Sequence, residues 1–128
     1  MPQITLEYSS NVVPPVPAQE LLGAIHQMVA GTIGLPIENC KSRLVVRDVF
    51  RVGDGGEGRA FVHAEVRILA GRPAETKREL GERLLEHLTG VFGPVSESLD
   101  LQITVEVGDI DRDAYFKWPR GTLGGDTR

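Results

Sequence analysis

The stretch that decides the fold is Ala60–Pro73, AFVHAEVRILAGRP, in which an alternating pattern gives way to the start of a helix. Every second residue of its first nine is apolar, which is typical of a strand with a buried face. Phe61 and Leu69 add apolar side chains on the opposite face. We therefore predict a strand over 60–69 in a sheet that is covered on both sides.

Downstream of this stretch, helical and alternating patterns follow one another. Proline 73 is tolerated in a first helical turn, and the leucine-rich stripe beyond it predicts a helix that Gly93-Pro94 ends. Alternation over 100–107 predicts a fourth strand, and 114–118 predicts a short extra strand.

Upstream, the same succession occurs once more. Alternation over 2–8 predicts a first strand, and apolar residues at helical spacing from Pro17 predict a helix that ends between Gly31 and Gly34. A Val- and Leu-rich run over 42–52 predicts the second strand, and the glycine-rich segment 53–58 predicts a turn.

The predicted order is β-α-β followed by β-α-β, an α+β fold in which each half forms a parallel pair with a right-handed crossover. Both helices then cover one face of a four-stranded mixed sheet. Apolar residues on both sides of the third strand favour a second subunit over the other face. We predict one domain over 1–118 and a flexible C-terminal tail over 119–128.

Composition excludes several classes of function. The 128 residues carry a net charge of −4, so the chain lacks the basic footprint of a nucleic-acid-binding protein. No apolar run reaches the roughly 20 residues of a membrane span, and the N-terminus does not resemble a signal peptide. The single cysteine, Cys40, suits a reducing compartment, which predicts a cytoplasmic protein.

Pro2 is the first catalytic candidate. The initiator methionine is normally removed when the second residue is small, as proline is. Its removal leaves a secondary amine at the head of a strand. Burial or nearby cations lower the pKa of an amine because both disfavour its charged form. An amine that is uncharged near neutral pH can move a proton to and from carbon next to a carbonyl group.

A set of basic residues is the second candidate, because arginine matches a carboxylate with two parallel hydrogen bonds. Lys41 and Arg43 are two apart on a strand and point the same way. Arg72 lies at a helix start, where backbone N–H groups attract anions. The complete set is Lys41, Arg43, Arg47, Arg51 and Arg72. Solvated charge and ion pairing between subunits are the alternative interpretations.

Other chemistry has weaker support. The three histidines, at positions 26, 63 and 87, lack metal-ligand spacing, so no metal site is predicted. Cys40 has no histidine near it in sequence and resembles a buried thiol. The glycine-rich segment 53–58 lacks the phosphate-binding pattern of a P-loop.

Taken together, the chain resembles the 5-carboxymethyl-2-hydroxymuconate isomerase family of the tautomerase superfamily. The resemblance covers most of the sequence and rests on the order and spacing of modest motifs. These are Met1-Pro2 with Glu7 near the strand end, Cys40-Lys41-Ser42-Arg43-Leu44 with Asp48 and Phe50, Ala60-Phe61-Val62-His63, Ala70-Gly71-Arg72, Gly81-Glu82 and Phe116-Lys117.

The resemblance implies a homotrimer of βαββαβ protomers whose sheets line a barrel-like assembly. It also implies a catalyst that needs no cofactor, in which Pro2 is the general base for an unsaturated 2-hydroxy or 2-oxo dicarboxylic acid. Substrate binding then falls to Lys41 and Arg72, with Arg43 beside them. The family pattern is Arg-Ser-Arg, and Lys41 departs from it by keeping the charge without the bidentate fork.

Two alternatives remain open from the sequence. The same element order describes a ferredoxin-like binding or assembly module, and a tautomerase fold can also serve as an inactive small-molecule binder. Sheet order separates the two folds. Strands one and three are antiparallel neighbours in the tautomerase plan, whereas in a ferredoxin-like sheet they are parallel and strands two and three form a hairpin.

Overall fold

The computed structural model describes residues 1–119, which form a four-stranded sheet with two helices packed on it. The elements in chain order are β1 (Gln3–Ser9), α1 (Ala18–Ile33), β2 (Lys41–Arg47), β3 (Arg59–Leu69), α2 (Ala74–Phe92) and β4 (Asp100–Ile110). Short 3-10 turns occupy Ile37–Asn39, Pro94–Ser96 and Arg112–Ala114. The predicted order of strands and helices is confirmed. The predicted tail lies outside the described residues from position 120 onward.

The strands are arranged in the order β2-β1-β3-β4. β1 is parallel to β2 and antiparallel to β3, and β3 is parallel to β4. Strands one and three are therefore antiparallel neighbours, as the tautomerase plan requires. The ferredoxin-like alternative is wrong for this chain, because β2 and β3 lie apart in the sheet.

One face of the sheet and both helices enclose the main core. Ile4, Leu6 and Tyr8 of β1 point toward the helices, and alternate residues of β3 from Ala60 to Ile68 do the same. The stripe of α2 meets them with Leu80, Leu84, Leu88 and Phe92. Period 2 in the strands and period 3.6 in the helices place these apolar positions on facing surfaces.

β2 is shorter than the sequence predicts. It ends at Arg47, opposite Ser9, because β2 pairs only with β1 and β1 ends there. A strand beyond that point has no neighbour with which to form ladder hydrogen bonds. Phe50, predicted to lie in the strand, packs instead against Phe61 with ring centroids 6.2 Å apart.

One further prediction needs correction. Residues 114–118 do not form a strand; a 3-10 turn at Arg112–Ala114 is followed by chain that pairs with no strand of the described sheet. Leu69 packs against Met1 and Ile110 within the single chain, and the second subunit over the helix-free face stays a prediction. The helix-free face of β3 is largely polar, with His63, Glu65 and Arg67 along it.

Neither helix in the described part of the chain has an apolar run of membrane-spanning length.

Candidate active site

The residues predicted from sequence to form the site lie together at one end of the strands of the sheet. β1 and β2 begin there, and β3 and β4 end there, because each pair is parallel and the two pairs run in opposite directions. Gln3 is in register with both Lys41 and Arg67, and Leu69 is in register with Ile110. We call this end of the strands the Pro2 edge. The opposite end of the strands, which carries the 53–58 turn, is called the loop edge.

Pro2 is buried at the head of β1. Its carbonyl oxygen accepts a hydrogen bond of 3.2 Å from the Lys41 backbone N–H, which ties the first residue of β2 to it. Met1, still attached to the Pro2 nitrogen, is fully buried between Leu69 and Ile110. The N-terminus is therefore packed inside the protein and does not extend into solvent.

Lys41 lies directly beside this buried N-terminus. Its ammonium group forms a short contact with the Met1 sulfur and donates a 3.1 Å hydrogen bond to the Asn39 carbonyl. Burial raises the pKa of the neighbouring Cys40 thiol, while the positive charges of the N-terminal amine and of Lys41 act in the opposite direction. Positive charge and apolar surroundings thus meet at the same point.

Arg43 occupies the helix-free face two residues further along β2. Its guanidinium donates a 2.8 Å hydrogen bond to the side-chain carbonyl of Gln3. The amide nitrogen of Gln3 in turn donates to the hydroxyl oxygen of Tyr115 over 3.0 Å. The ring of Tyr115 packs against the cluster that contains Met1. Neither Gln3 nor Tyr115 was identified from sequence.

Arg72 follows β3 at the Pro2 edge and is half-buried. The chain reaches it through Gly71, whose φ of +125° is a conformation that side-chain-bearing residues rarely adopt. The guanidinium of Arg112 donates to the Ala70 carbonyl and lies 3.4 Å from the position that a Gly71 Cβ would take. Arg112 is a further cation at this edge that sequence analysis missed, because the fourth strand was predicted to end at position 107.

Two members of the predicted basic set lie elsewhere. Arg47 binds the Glu7 carboxylate at 2.7 Å, toward the loop edge. Arg51 donates to the backbone carbonyl of Asp54 in the glycine-rich turn. The structure therefore brings Lys41, Arg43 and Arg72 to one edge with Pro2 and separates the other two from them.

The histidines lie away from this edge or are engaged in local contacts. Nε2 of His26 lies 2.6 Å from the Ser42 hydroxyl on the helix-covered face, and burial lowers its pKa. His63 contacts Thr104 on the helix-free face, and His87 faces the groove between the two helices. Within residues 1–119, no group of three His, Cys, Asp or Glu side chains is arranged to hold a metal ion.

Solved structures identify the class to which this fold belongs. A structure described as a fused 4-OT wild-type symmetric trimer matches with a TM-score of 0.71, covering 98% of this chain and 99% of that chain at 21% identity. At this identity the likeness concerns the fold. Together with the sheet order and the buried N-terminus, it defines a protein of the tautomerase fold.

The family follows from the sequence. A family model described as 5-carboxymethyl-2-hydroxymuconate isomerase matches residues 2–119, and the chain belongs to that family. A 5-carboxymethyl-2-hydroxymuconate Delta-isomerase of Escherichia coli is 28% identical over 117 residues, which is 91% of this chain and 93% of the relative. A 5-carboxymethyl-2-hydroxymuconate isomerase structure from Deinococcus radiodurans R1 matches at 28% identity and a TM-score of 0.81, covering 91% of this chain and 87% of that one. The chain is thus an enzyme of the isomerase class.

Proposed function

We propose that this isomerase is a cofactor-independent tautomerase that moves a proton on an unsaturated 2-hydroxy or 2-oxo dicarboxylic acid of the 5-carboxymethyl-2-hydroxymuconate type. The general base is the Pro2 amine after removal of Met1, and Lys41, Arg43 and Arg72 bind the substrate. The observation that carries the proposal is the contact between the Lys41 ammonium and the side chain of buried Met1.

The N-terminus has to be processed for this chemistry. While Met1 is attached, the Pro2 nitrogen belongs to an amide and has no basic lone pair. Removal of Met1 creates a secondary amine and at the same time vacates the volume between Leu69, Ile110 and Tyr115. That volume adjoins the nitrogen, so a substrate that replaces Met1 has its carbon atoms next to the base.

The cations complement the charge of the substrate. An ammonium group that reaches the Met1 side chain also reaches a carboxylate or enolate oxygen bound in its place. Arg72 and Arg43, at the same edge, supply the fork geometry that matches a second carboxylate. As negative charge passes from carbon to oxygen in the transition state, preorganised cations stabilise it more than they stabilise the ground state.

The reaction balances without an added reagent. From a 2-oxo acid, the Pro2 nitrogen removes a proton from carbon next to the oxo group, and the electron pair moves into a dienolate whose oxygen faces the cations. From a 2-hydroxy acid, it removes the hydroxyl proton and gives the same dienolate. The protonated amine then returns the proton to another carbon of the conjugated system. Substrate and product contain the same atoms, so the step consumes neither oxidant nor reductant.

We further propose that the active form is a homotrimer in which each copy, after removal of Met1, contributes the single domain predicted over 1–118. The fold neighbour solved as a symmetric trimer supports this. Several large apolar side chains are also exposed in the single chain, among them Val49, Phe116 and Trp118 at 96%, 87% and 88%. Light scattering of the purified protein should give three times the chain mass of 14.0 kDa; a monomer would contradict this assembly.

The decisive experiment compares two ways of disabling the base. Mass spectrometry first establishes that Met1 is absent from the wild-type protein. Pro2→Ala should then lower kcat/KM on 5-carboxymethyl-2-hydroxymuconate by at least ~100-fold, the usual contribution of a general base. A chain carrying an uncleaved extension before Pro2 keeps the proline ring but blocks its nitrogen, and it should lose activity to the same extent.

Near-wild-type rates in either form reject the proposed mechanism. Binding of this substrate without turnover in the processed wild type would indicate the inactive small-molecule binder.

Substrate binding is tested by Arg72→Ala, for which Arg51→Ala is the matched control at the loop edge. Loss of a charge-assisted hydrogen bond is worth roughly 1.5–3 kcal/mol, so KM for the substrate should rise about 10-fold or more. Arg51→Ala should leave KM within about twofold, since surface cations contribute little. An unchanged KM in Arg72→Ala would remove this residue from the binding site.

A further inference from the structure

Tyr115 lies where the substrate is expected, although nothing in the sequence suggested a role for it. It follows the 3-10 turn after β4, and its ring packs against the cluster of Met1, Leu69 and Ile110. Its hydroxyl oxygen is hydrogen-bonded to Gln3, the residue next to Pro2. The ring therefore borders the volume that Met1 occupies, and the hydroxyl is held from the β1 side.

The direction of the Gln3–Tyr115 hydrogen bond follows from Arg43. A guanidinium group has donors only, so the Gln3 side-chain oxygen must face Arg43, as the 2.8 Å contact requires. The Gln3 NH2 group is then turned toward Tyr115, and in the 3.0 Å contact the phenol oxygen is the acceptor. The hydroxyl proton of Tyr115 is not used in this bond.

That proton is available for another acceptor. Among residues 1–119, the Tyr115 hydroxyl has no hydrogen-bond contact other than the bond that it accepts from Gln3. A hydroxyl that accepts a hydrogen bond becomes a better donor, and the charge of Arg43 at the head of the chain polarises both bonds in the same sense. The chain Arg43–Gln3–Tyr115 thus ends in a strengthened donor at the border of the Met1 volume.

We propose that Tyr115 is a further catalytic residue whose hydroxyl donates a hydrogen bond to the substrate oxygen on which negative charge develops. Gln3 and Arg43 are positioning residues in this respect, since they act on the substrate oxygen through the phenol. The proposal rests on the function proposed above, because the substrate is taken to occupy the volume left by Met1. In the proton transfer itself, Tyr115 lends a hydrogen bond and Pro2 carries the proton.

The test is Tyr115→Phe, which removes one oxygen atom and keeps the ring that packs on the cluster. Loss of a preorganised donor to a developing oxyanion lowers kcat by about 100-fold or more in known cases, and we expect at least a 10-fold fall with KM within about threefold. Tyr8→Phe is the matched control: Tyr8 is buried in the main core, where its ring packs against Phe92. It should keep kcat within about twofold, since it lies outside the site.

A double-mutant cycle tests the positioning role of Gln3. Gln3→Leu alone should lower kcat because the phenol loses its partner, whereas in the Tyr115→Phe background the same change should have little further effect. Additive losses would mean that Gln3 and Tyr115 act independently, which would overturn the chain. All variants are compared after mass spectrometry has verified Met1 removal.

The outcomes separate this proposal from the one on which it rests. If Pro2→Ala loses most of its activity and Tyr115→Phe keeps the wild-type kcat, only the role of Tyr115 is rejected, and the proposed function stands. A Tyr115→Phe effect confined to KM also rejects it, because a donor to the transition state has to act on kcat. Wild-type activity in Pro2→Ala rejects both proposals, whatever Tyr115→Phe does.

Discussion

Two arginines on the same face of β2, Arg43 and Arg47, have partners of different charge at the two ends of the strand. Arg47 binds the carboxylate of Glu7 at 2.7 Å, whereas Arg43 binds the neutral amide of Gln3 at 2.8 Å. Both partners belong to β1 and are four residues apart, so the geometry is nearly repeated. At the loop edge the cation is neutralised; at the Pro2 edge its charge is kept.

Ion pairs occur near both edges, since Lys77 pairs with the Asp109 carboxylate at 3.3 Å beside the Pro2 edge, so the contrast concerns individual cations. At the loop edge, Arg59 contacts the carboxylates of Asp54 and Asp100 at 3.0 and 3.4 Å. At the Pro2 edge, the Lys41 ammonium contacts a backbone carbonyl and the Met1 sulfur. Exposed ion pairs contribute little to stability, whereas Arg43, whose guanidinium donates to a neutral amide, retains its field for an anionic ligand. The comparison separates a cation that is paired with a carboxylate from one that is available to bind an acid.

Gln3→Glu should break the contrast most strongly, because it reproduces at the Pro2 edge the carboxylate found at the loop edge. The new carboxylate pairs with Arg43 and, having no N–H, accepts a hydrogen bond from the Tyr115 hydroxyl instead of donating one to it. We expect kcat/KM for the diacid to fall about 10- to 100-fold in steady-state assays, as expected when a charged group is neutralised and a donor is lost. Glu7→Gln, the reciprocal change, should leave kcat/KM within about twofold; equal losses in both would refute the distinction.

Removing each arginine in turn gives a smaller effect. Arg43→Ala should raise KM for the dianionic substrate several-fold, by roughly 1 kcal/mol of binding free energy. Arg47→Ala should leave KM unchanged and alter the free energy of unfolding by less than about 1 kcal/mol, as is usual for an exposed pair. Urea denaturation and substrate titration measure the two quantities. A KM shift of the same size in Arg47→Ala would show that the charge acts across the whole face.

The smallest expected effect is on the pH dependence of stability, in which the Cys40 thiol reports on the positive charge at the Pro2 edge. Burial raises the pKa of its thiol, so the folded state holds the proton more tightly than the unfolded state does. The stabilising contribution is therefore present below the unfolded pKa of about 8.5 and is lost as pH rises through the folded pKa.

Thermal unfolding between pH 7 and 10 should show this loss, and Cys40→Ser should reduce it. Lys41→Met removes a charge that lowers the thiol pKa, so the pH range over which this contribution is lost should extend to higher pH. A range that is unchanged, or that ends at lower pH, would show that Lys41 does not contribute to the local field.

The sequence predicted the strands and helices well where one side of an element is buried. The alternation in β1 and β3 and the leucine stripe of α2 are direct consequences of burial on one face, and all three elements were found. The predicted end of β2 was wrong because the alternating pattern continues past Arg47, whereas the pairing strand β1 ends at Ser9. β4 was predicted three residues short, which hid Arg112.

The candidate site could be predicted only in part, for a similar reason. Pro2, Lys41 and Arg72 carry a chemical signature that the family resemblance makes visible, and their roles remain proposals. Gln3 and Tyr115 carry none, since a glutamine in a strand and a tyrosine near a chain end are ordinary residues. Their importance comes from a hydrogen bond between residues 112 positions apart.

The sequence by itself determined which side chains are apolar and at what period, and therefore the element order and the buried faces. It also placed a proline directly after Met1. Tertiary structure alone decided which strand ends meet, that Met1 is enclosed beside a lysine, and that Arg43 and Arg47 have partners of different charge. The physical reason is that periodicity is a local property of the chain, whereas strand pairing joins residues distant in sequence and so fixes which charges share an edge.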